Sequence, residues 1–94
     1  MATIEFDARK SERNAAARGL PFERAVDFDW EDAVVIADQR RDYGERRLVA
    51  TGYLDRRLHV LCFLRIPDGI RVISLRRANK REVLEYEQAQ APDK

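Results

Sequence analysis

Apolar residues recur at every second position through the middle of the chain. Leu58, Val60, Cys62, Leu64 and Ile66 fall on one side of a strand, and Arg57, His59, Leu61, Phe63 and Arg65 on the other. The first set is wholly apolar, so the pattern predicts a strand over 58–65 with Leu58, Val60, Cys62 and Leu64 facing the core. Arg57, His59 and Arg65 would then face solvent or a ligand. Ala33–Ala37, Leu48–Tyr53 and Ile70–Leu75 read as further strands, being short, apolar and rich in β-branched residues. Leu54-Asp55-Arg56-Arg57 has the length of a hairpin connection. Pro67-Asp68-Gly69 reads as a turn, with proline fixing φ and glycine tolerating a positive φ. The polar stretch Asp38–Glu45, which contains Gly44, reads as a loop.

The ends of the chain read as helices. Ile4–Phe6 suits a short first strand, and Asp7 then caps a helix that runs through Ala15-Ala16-Ala17 to Arg18. Gly19 and Pro21 supply its stop. Phe22, Ala25, Val26 and Trp30 have the spacing of a second short helix with one buried face, in which Trp30 is packing material. Asn79 and Glu82 match a capping box, and Val83, Leu84 and Tyr86 continue a helix that should fade before Pro92. The expected order is β-α-α-β-β-β-β-α. It describes one α+β domain over residues 1–94, with a mainly antiparallel sheet, two N-terminal helices and one C-terminal helix.

Composition narrows the class. The chain has 94 residues, enough for one domain, and its 45% hydrophobic content with a net charge of only +1 argues against disorder. A single cysteine, Cys62, permits no internal disulfide, and no His/Cys cluster has metal-ligand spacing, so no metal or cofactor is expected. Apolar runs stop at five residues and no signal pattern opens the chain, so a soluble cytoplasmic protein is expected, with no membrane partner. The near-neutral total conceals an asymmetry. Residues 1–45 carry a balance of −4, whereas Arg46–Arg81 holds ten Arg and Lys against Asp55 and Asp68 alone. Nine of those ten are arginine, whose planar fork suits phosphate. A solvated face with internal ion pairs would produce the same count.

Candidate chemistry is sparse. Neither a P-loop nor a GxGxxG, GxSxG or HExxH pattern occurs. His59 is the one histidine and could move a proton near neutral pH, although a lone strand histidine also serves as a packed residue. Cys62 reads as a buried, inert thiol. The stretch from Arg71 to Tyr86 sets arginines along and beyond a strand end, just ahead of a helix N-terminus that favours anions. Arg76, Arg77, Lys80 or Arg81 could meet a phosphate there, and Tyr86 falls two turns along the helix from Asn79.

At these residues the chain resembles the BrnT family, the toxin half of a bacterial type II toxin–antitoxin system. The resemblance rests on Glu5-Phe6-Asp7-x-x-Lys10-x-x-x-Asn14, Arg18-Gly19-x-x-Phe22-Glu23-Arg24-Ala25, Arg41-Asp42-Tyr43-Gly44-Glu45 and Leu58-His59-Val60-Leu61. Its most specific part is Arg71-Val72-Ile73-Ser74-Leu75-Arg76-Arg77-Ala78-Asn79-Lys80-Arg81-Glu82, followed by Tyr86-Glu87. Two places depart from the family pattern. Ala17-Arg18-Gly19 stands where Lys-His-Gly is usual, and Phe63-Leu64-Arg65-Ile66-Pro67 where Phe-Thr and a polar turn are usual.

The resemblance implies a RelE-like fold, ribonuclease activity that halts translation, and neutralisation by a DNA-binding BrnA-type antitoxin, in a complex that could be a heterotetramer. A metal-independent endoribonuclease needs a base, an acid and cations for the phosphate. On this reading Arg71 and Arg76 stabilise phosphate, His59 transfers a proton, Tyr86 is a second acid/base or orienting group, and Glu45 is another candidate base. Arg77, Lys80, Arg81, Arg46 and Lys10 would bind RNA. The antitoxin would cover Arg71, Arg76, Arg77 and Tyr86. A non-catalytic RNA- or antitoxin-binding module on the same fold is the alternative, while a lone DNA-binding repressor lacks a helix-turn-helix pattern.

Overall fold

A computed structural model describes residues 2–91. Strand β1 (Thr3–Phe6) leads into helix α1 (Ala8–Arg18) and a 3-10 helix (Phe22–Asp27). Strands β2 (Val34–Ala37), β3 (Leu48–Leu54), β4 (Arg57–Ile66) and β5 (Gly69–Arg77) come next, and helix α2 (Lys80–Gln90) closes the order. The strands form one sheet in the order β1-β5-β4-β3-β2. The β2–β3, β3–β4 and β4–β5 pairs are antiparallel, but β1 lies parallel to β5. The sheet is therefore mixed, which corrects the expectation of a mainly antiparallel one. The connection from β1 to β5 takes in α1, the 3-10 helix and the other three strands, long enough for β1 to run alongside β5 in the same direction. The stop expected at Pro92 lies outside the described residues.

Local chemistry explains the helices. The Asp7 carboxylate accepts from the N–H groups of Arg9 (2.9 Å) and Lys10 (3.2 Å), and Gly19 ends α1 with φ +69°. Buried Ser11 takes the Phe22 N–H at 2.8 Å, and Asn14 Nδ2 donates to the carbonyls of Leu20 (2.6 Å) and Leu75 (2.9 Å). These two side chains pin α1 to the start of the 3-10 segment and to β5. The second helix departs from expectation, being 3-10 rather than α. Its three-residue period puts Phe22, Ala25 and Phe28 into the core and turns Val26 out. Trp30 lies just beyond it and packs edge-on to Phe28 and Phe63, with 37% of its surface exposed.

The expected orientation of β4 is corrected as well. The main core lies on the Leu61 and Phe63 side, where Leu48, Ala50, Leu54, Val72 and Leu75 meet Leu20, Phe22, Ala25 and Phe28. His59 is on that side and is 4% exposed rather than turned to solvent. Leu58, Val60 and Cys62 are buried on the opposite side. Alternation alone could not rank the two faces, because β4 is central and its middle is apolar on both.

Gly69 also differs from expectation. Its φ is not positive; it is glycine because a Cβ there would stand 1.9 Å from the Thr3 carbonyl oxygen of the adjoining β1. The β3–β4 turn instead places Asp55 (φ 52°) and Arg56 (φ 65°) in the left-handed region, as a two-residue type I′ hairpin requires. Both Asp55 carboxylate oxygens accept from Arg24 Nη2 at 2.8 Å, whereas the Arg56 side chain makes no such contact among the described residues. Arg56→Gly should therefore raise stability by about 1 kcal/mol, read from urea unfolding.

Candidate functional site

A bulge in β5 creates the shared face of the candidate site. In a regular strand Arg71 and Arg76, five residues apart, would point to opposite sides. The β4–β5 register slips between Cys62 and Phe63, so that Phe63 faces Val72 while Cys62 faces Ser74, leaving Ile73 as the extra residue. That single insertion returns Arg71, Ser74 and Arg76 to the Cys62 face and buries both Val72 and Leu75 in the core. Arg71 and Arg76 pair with Leu64 and Val60, four residues apart on β4, a separation of about 13 Å that two long side chains can span. Arg71 Nη1 pairs with Glu5 of β1.

The N-terminus of α2 holds Arg76 in place. Asn79 and Glu82 form the expected capping box, with Asn79 Oδ1 taking the Glu82 N–H at 2.8 Å and Glu82 Oε1 the Asn79 N–H at 2.9 Å. Both Glu82 carboxylate oxygens also accept from Arg76, from Nη1 and Nη2 at 2.8 Å each, and Nη1 donates to the Arg77 carbonyl at 3.2 Å. Glu82 thus occupies the end of the guanidinium and leaves its Nε–Nη2 edge open among the described residues. The Arg76 fork holds the Glu82 carboxyl down at about 2, against a usual 4.5. This depression contributes stability that is complete above the usual carboxylate range and is lost as pH falls toward 2. Glu82→Gln should accordingly flatten the decline in stability between pH 4.5 and about 2, measured by urea unfolding across that range.

The segment between β2 and β3 brings further cations to the same face. The Asp38 carboxylate receives Arg40 Nε at 2.9 Å and Nη2 at 2.8 Å, and these bonds hold its carboxyl down at about 2. Asp38 bonds Arg47 one step beyond the Ala37–Leu48 pair, and because Leu48 shares the Phe63 side, both side chains fall on the Cys62 side at this end of β2 and β3. Burial is the main cause that pushes the Cys62 thiol up. The Arg47 guanidinium stacks 4.0 Å from the centre of the Tyr43 ring and that of Arg41 lies at 5.3 Å. Arg47 Nε is buried without a hydrogen-bond partner among the described residues. Sequence reasoning did not single out Arg40, Arg47 or Tyr43 as site residues. An aromatic set among arginines in a polar loop was the signal available for them.

The structure separates the remaining candidates. Tyr86 lies on the Arg76 side but is buried, edge-on to Tyr53, and its hydroxyl donates to the Asp32 carbonyl at 2.9 Å. That bond anchors α2 to the segment before β2 and occupies the hydroxyl proton. Glu45 pairs with Arg47 at 3.3 Å and lines a surface groove with Arg46. Lys80 and Arg81 are exposed in the first turn of α2, and Arg81 Nε lies 3.5 Å from Glu85. Lys10 is exposed on α1.

His59 and Arg77 face each other on the opposite side of the sheet. His59 Nδ1 bonds the Arg57 carbonyl at 2.7 Å, and its ring lines a cleft of about 390 Å³ with Arg18, Arg24, Arg57 and Arg77. The sheet therefore stands between His59 and the Arg71–Arg76 pair, and one substrate phosphate cannot meet all three.

Among the described residues no group of three or more His, Cys, Asp or Glu side chains could hold a metal, and no helix is long and apolar enough to cross a membrane. Comparison with curated individual proteins gives no match. A family model described as "Ribonuclease toxin, BrnT, of type II toxin-antitoxin system" matches residues 6–82, from β1 through the Arg76–Glu82 pair. With the match covering most of the sheet and the whole bulged strand, the chain belongs to the BrnT family of ribonuclease toxins of type II toxin–antitoxin systems.

Proposed function

We propose that the face bearing Arg71, Arg76, Arg40 and Arg47 binds RNA and cleaves it as a metal-independent endoribonuclease, and that this cleavage inhibits translation in the cytoplasm. The observation that carries the reading is the open Nε–Nη2 edge of Arg76, fixed by Glu82. A planar fork held in this way can meet two oxygens of a phosphate without reorganising during reaction. In the step we envisage, the ribose 2′-oxygen attacks phosphorus while Glu45, on the loop beside Arg47, takes its proton. The bond to the 5′-oxygen breaks, that oxygen leaves with a proton from solvent, and a 2′,3′-cyclic phosphate remains. The negative charge that builds on phosphorus is spread onto Arg76 and Arg71. Lys80, Arg81 and Arg46 extend the contact along the RNA, and Tyr86 sets the position of α2.

His59 has no part in this reading, since it lies across the sheet. The fold is taken as RelE-like, and the antitoxin as a BrnA-type DNA-binding protein that covers the same arginines, with a heterotetramer as the assembly.

A second reading, an RNA- or antitoxin-binding surface without catalysis, has its own support in the carboxylate partners that Arg71 and Arg76 already hold. One experiment separates the two. Purified chain is incubated with RNA with and without EDTA, fragment ends are mapped, and protein synthesis is monitored in a reconstituted system. The proposal expects cleavage unaffected by EDTA, fragments bearing 5′-hydroxyl and cyclic phosphate ends, and arrested synthesis. RNA bound but left intact would establish the non-catalytic reading, and loss of cleavage in EDTA would refute metal independence.

A further inference from the structure

The two edges of the sheet are defended unequally. Strand β1 carries Glu5, ion-paired to Arg71, so one edge bears charge on an already short strand. Strand β2 reads Val34-Val35-Ile36-Ala37, with no charge, no proline and no bulge against β3. Val35 and Ile36, on opposite faces, are 40% and 62% exposed. Native edges are usually blunted by charge, proline or a bulge, and β2 shares with β1 only its shortness. Two grooves of about 590 Å³ each meet at this strand, one lined by Ile36 and Leu64, the other by Trp30 and Val26, and both by Val35 and Arg65.

The backbone direction on this edge is set by one hydrogen bond. The Asp38 N–H donates to the Arg47 carbonyl at 2.8 Å, continuing the register that pairs Ala37 with Leu48. Because backbone groups alternate sides along an antiparallel strand, the N–H and C=O of Val35 and Ala37 point away from β3. They form a ready template for another strand.

Charge on the flanks selects the occupant. Exposed Glu31 and Asp32 precede β2, and exposed Arg40 and Arg41 come after it. A strand laid antiparallel to β2 should carry basic groups where β2 has acidic ones, and the reverse. A second copy of this chain does so. With the two-fold axis at Ile36, Val35 pairs with Ala37 of the partner copy. Antiparallel pairing then brings the acidic turn before β2, with Glu31 and Asp32, toward the partner's basic bend after it, with Arg40 and Arg41. We propose that the chain forms a symmetric homodimer through β2, joining two sheets into one of ten strands. The dimer draws on Arg40, which the proposed RNA face also uses, and measurement without RNA separates the two readings. The contact is short, so the dimer is weak and depends on concentration.

Sedimentation of the full chain over a range from about 1 to 500 μM tests it, with circular dichroism as the folding control. Wild type should shift from monomer to dimer across that range. Val35→Pro removes an outward N–H and no bond to β3, so it should fold and weaken dimerisation about tenfold or more. Glu31→Arg alone and Arg41→Glu alone should each weaken the dimer, and the two together should restore it. A chain that stays monomeric throughout overturns the proposal. So does a dimer that survives in folded Val35→Pro, or a double charge swap that restores nothing. Hydrogen-exchange protection of Val35 and Ala37 that appears only on co-purification with an antitoxin assigns the edge to that partner, and also overturns it.

Discussion

Arg76→Lys should fold normally and cleave RNA about 100-fold more slowly than wild type. Lysine keeps the charge, so it can still offset Glu82 at the head of α2. It cannot keep the fork. Arg76 occupies two carboxylate oxygens and the Arg77 carbonyl and still has an N–H edge to offer, whereas an ammonium group has three donors in one small cluster. The loss should fall on kcat more than on KM, because the edge is aimed at charge that grows in the transition state. His59→Gln is the matched control. Across the sheet from Arg76, it should leave cleavage within about threefold of wild type, since no transition-state contact is removed. A large loss in His59→Gln with full activity in Arg76→Lys would move the reaction to the other face and reject the proposed site.

Gly69→Ala should be among the most damaging single-methyl changes in the chain, costing about 3 kcal/mol of unfolding free energy. The added carbon meets three backbone atoms of Thr3, its oxygen at 1.9 Å, its nitrogen at 2.6 Å and its carbonyl carbon at 2.8 Å. Backbone in a paired strand cannot step aside as the tip of a side chain can, so β1 must lift from β5. Urea unfolding gives the cost directly. Exchange of the β1 amides should rise more than that of β3, which would show that the damage is local. Gly19 is an instructive contrast, because nothing stands within 4 Å of its missing Cβ and its requirement is the positive φ.

Features that depend on neighbouring residues were legible in the sequence. The Asp7 cap, the Gly19 stop, the Asn79–Glu82 box and the four later strands all fall where local chemistry put them. Three features set by tertiary contact were not. The parallel placement of β1 depends on which edge its apolar side meets, and nothing in Thr3–Phe6 encodes that choice. The bulge at Ile73 is a one-residue phase change inside an apolar run, where Val72, Ile73 and Leu75 all look alike. The 3-10 helix was concealed because Phe22, Ala25 and Val26 also fit a 3.6-residue period, and only burial of Phe28 resolves the two.

The candidate site was legible in part. Arg71, Arg76 and Tyr86 lie on one side of the sheet and His59 on the other, and an opposite-face placement cannot be read from linear spacing. Arg40, Tyr43 and Arg47 belong to a loop between β2 and β3, where no period of apolar positions marks which side of the sheet it takes.

The parallel pairing of β1 with β5 bears on how the protein is made. Glu5 meets Arg71 across 66 positions of chain, and Asn14 meets the Leu75 carbonyl across 61. During synthesis the N-terminal strand and α1 leave the ribosome long before the strand that receives them. They wait with an apolar side uncovered until β5 emerges. The hairpin of β3 and β4 can close on itself meanwhile, since its partners are near neighbours in the chain. Arg76, near the end of β5, and Glu82, in α2, come later still. The Arg76–Glu82 pair therefore forms only after every strand of the sheet has left the ribosome, so the fork of Arg76 is fixed later than the sheet that carries it.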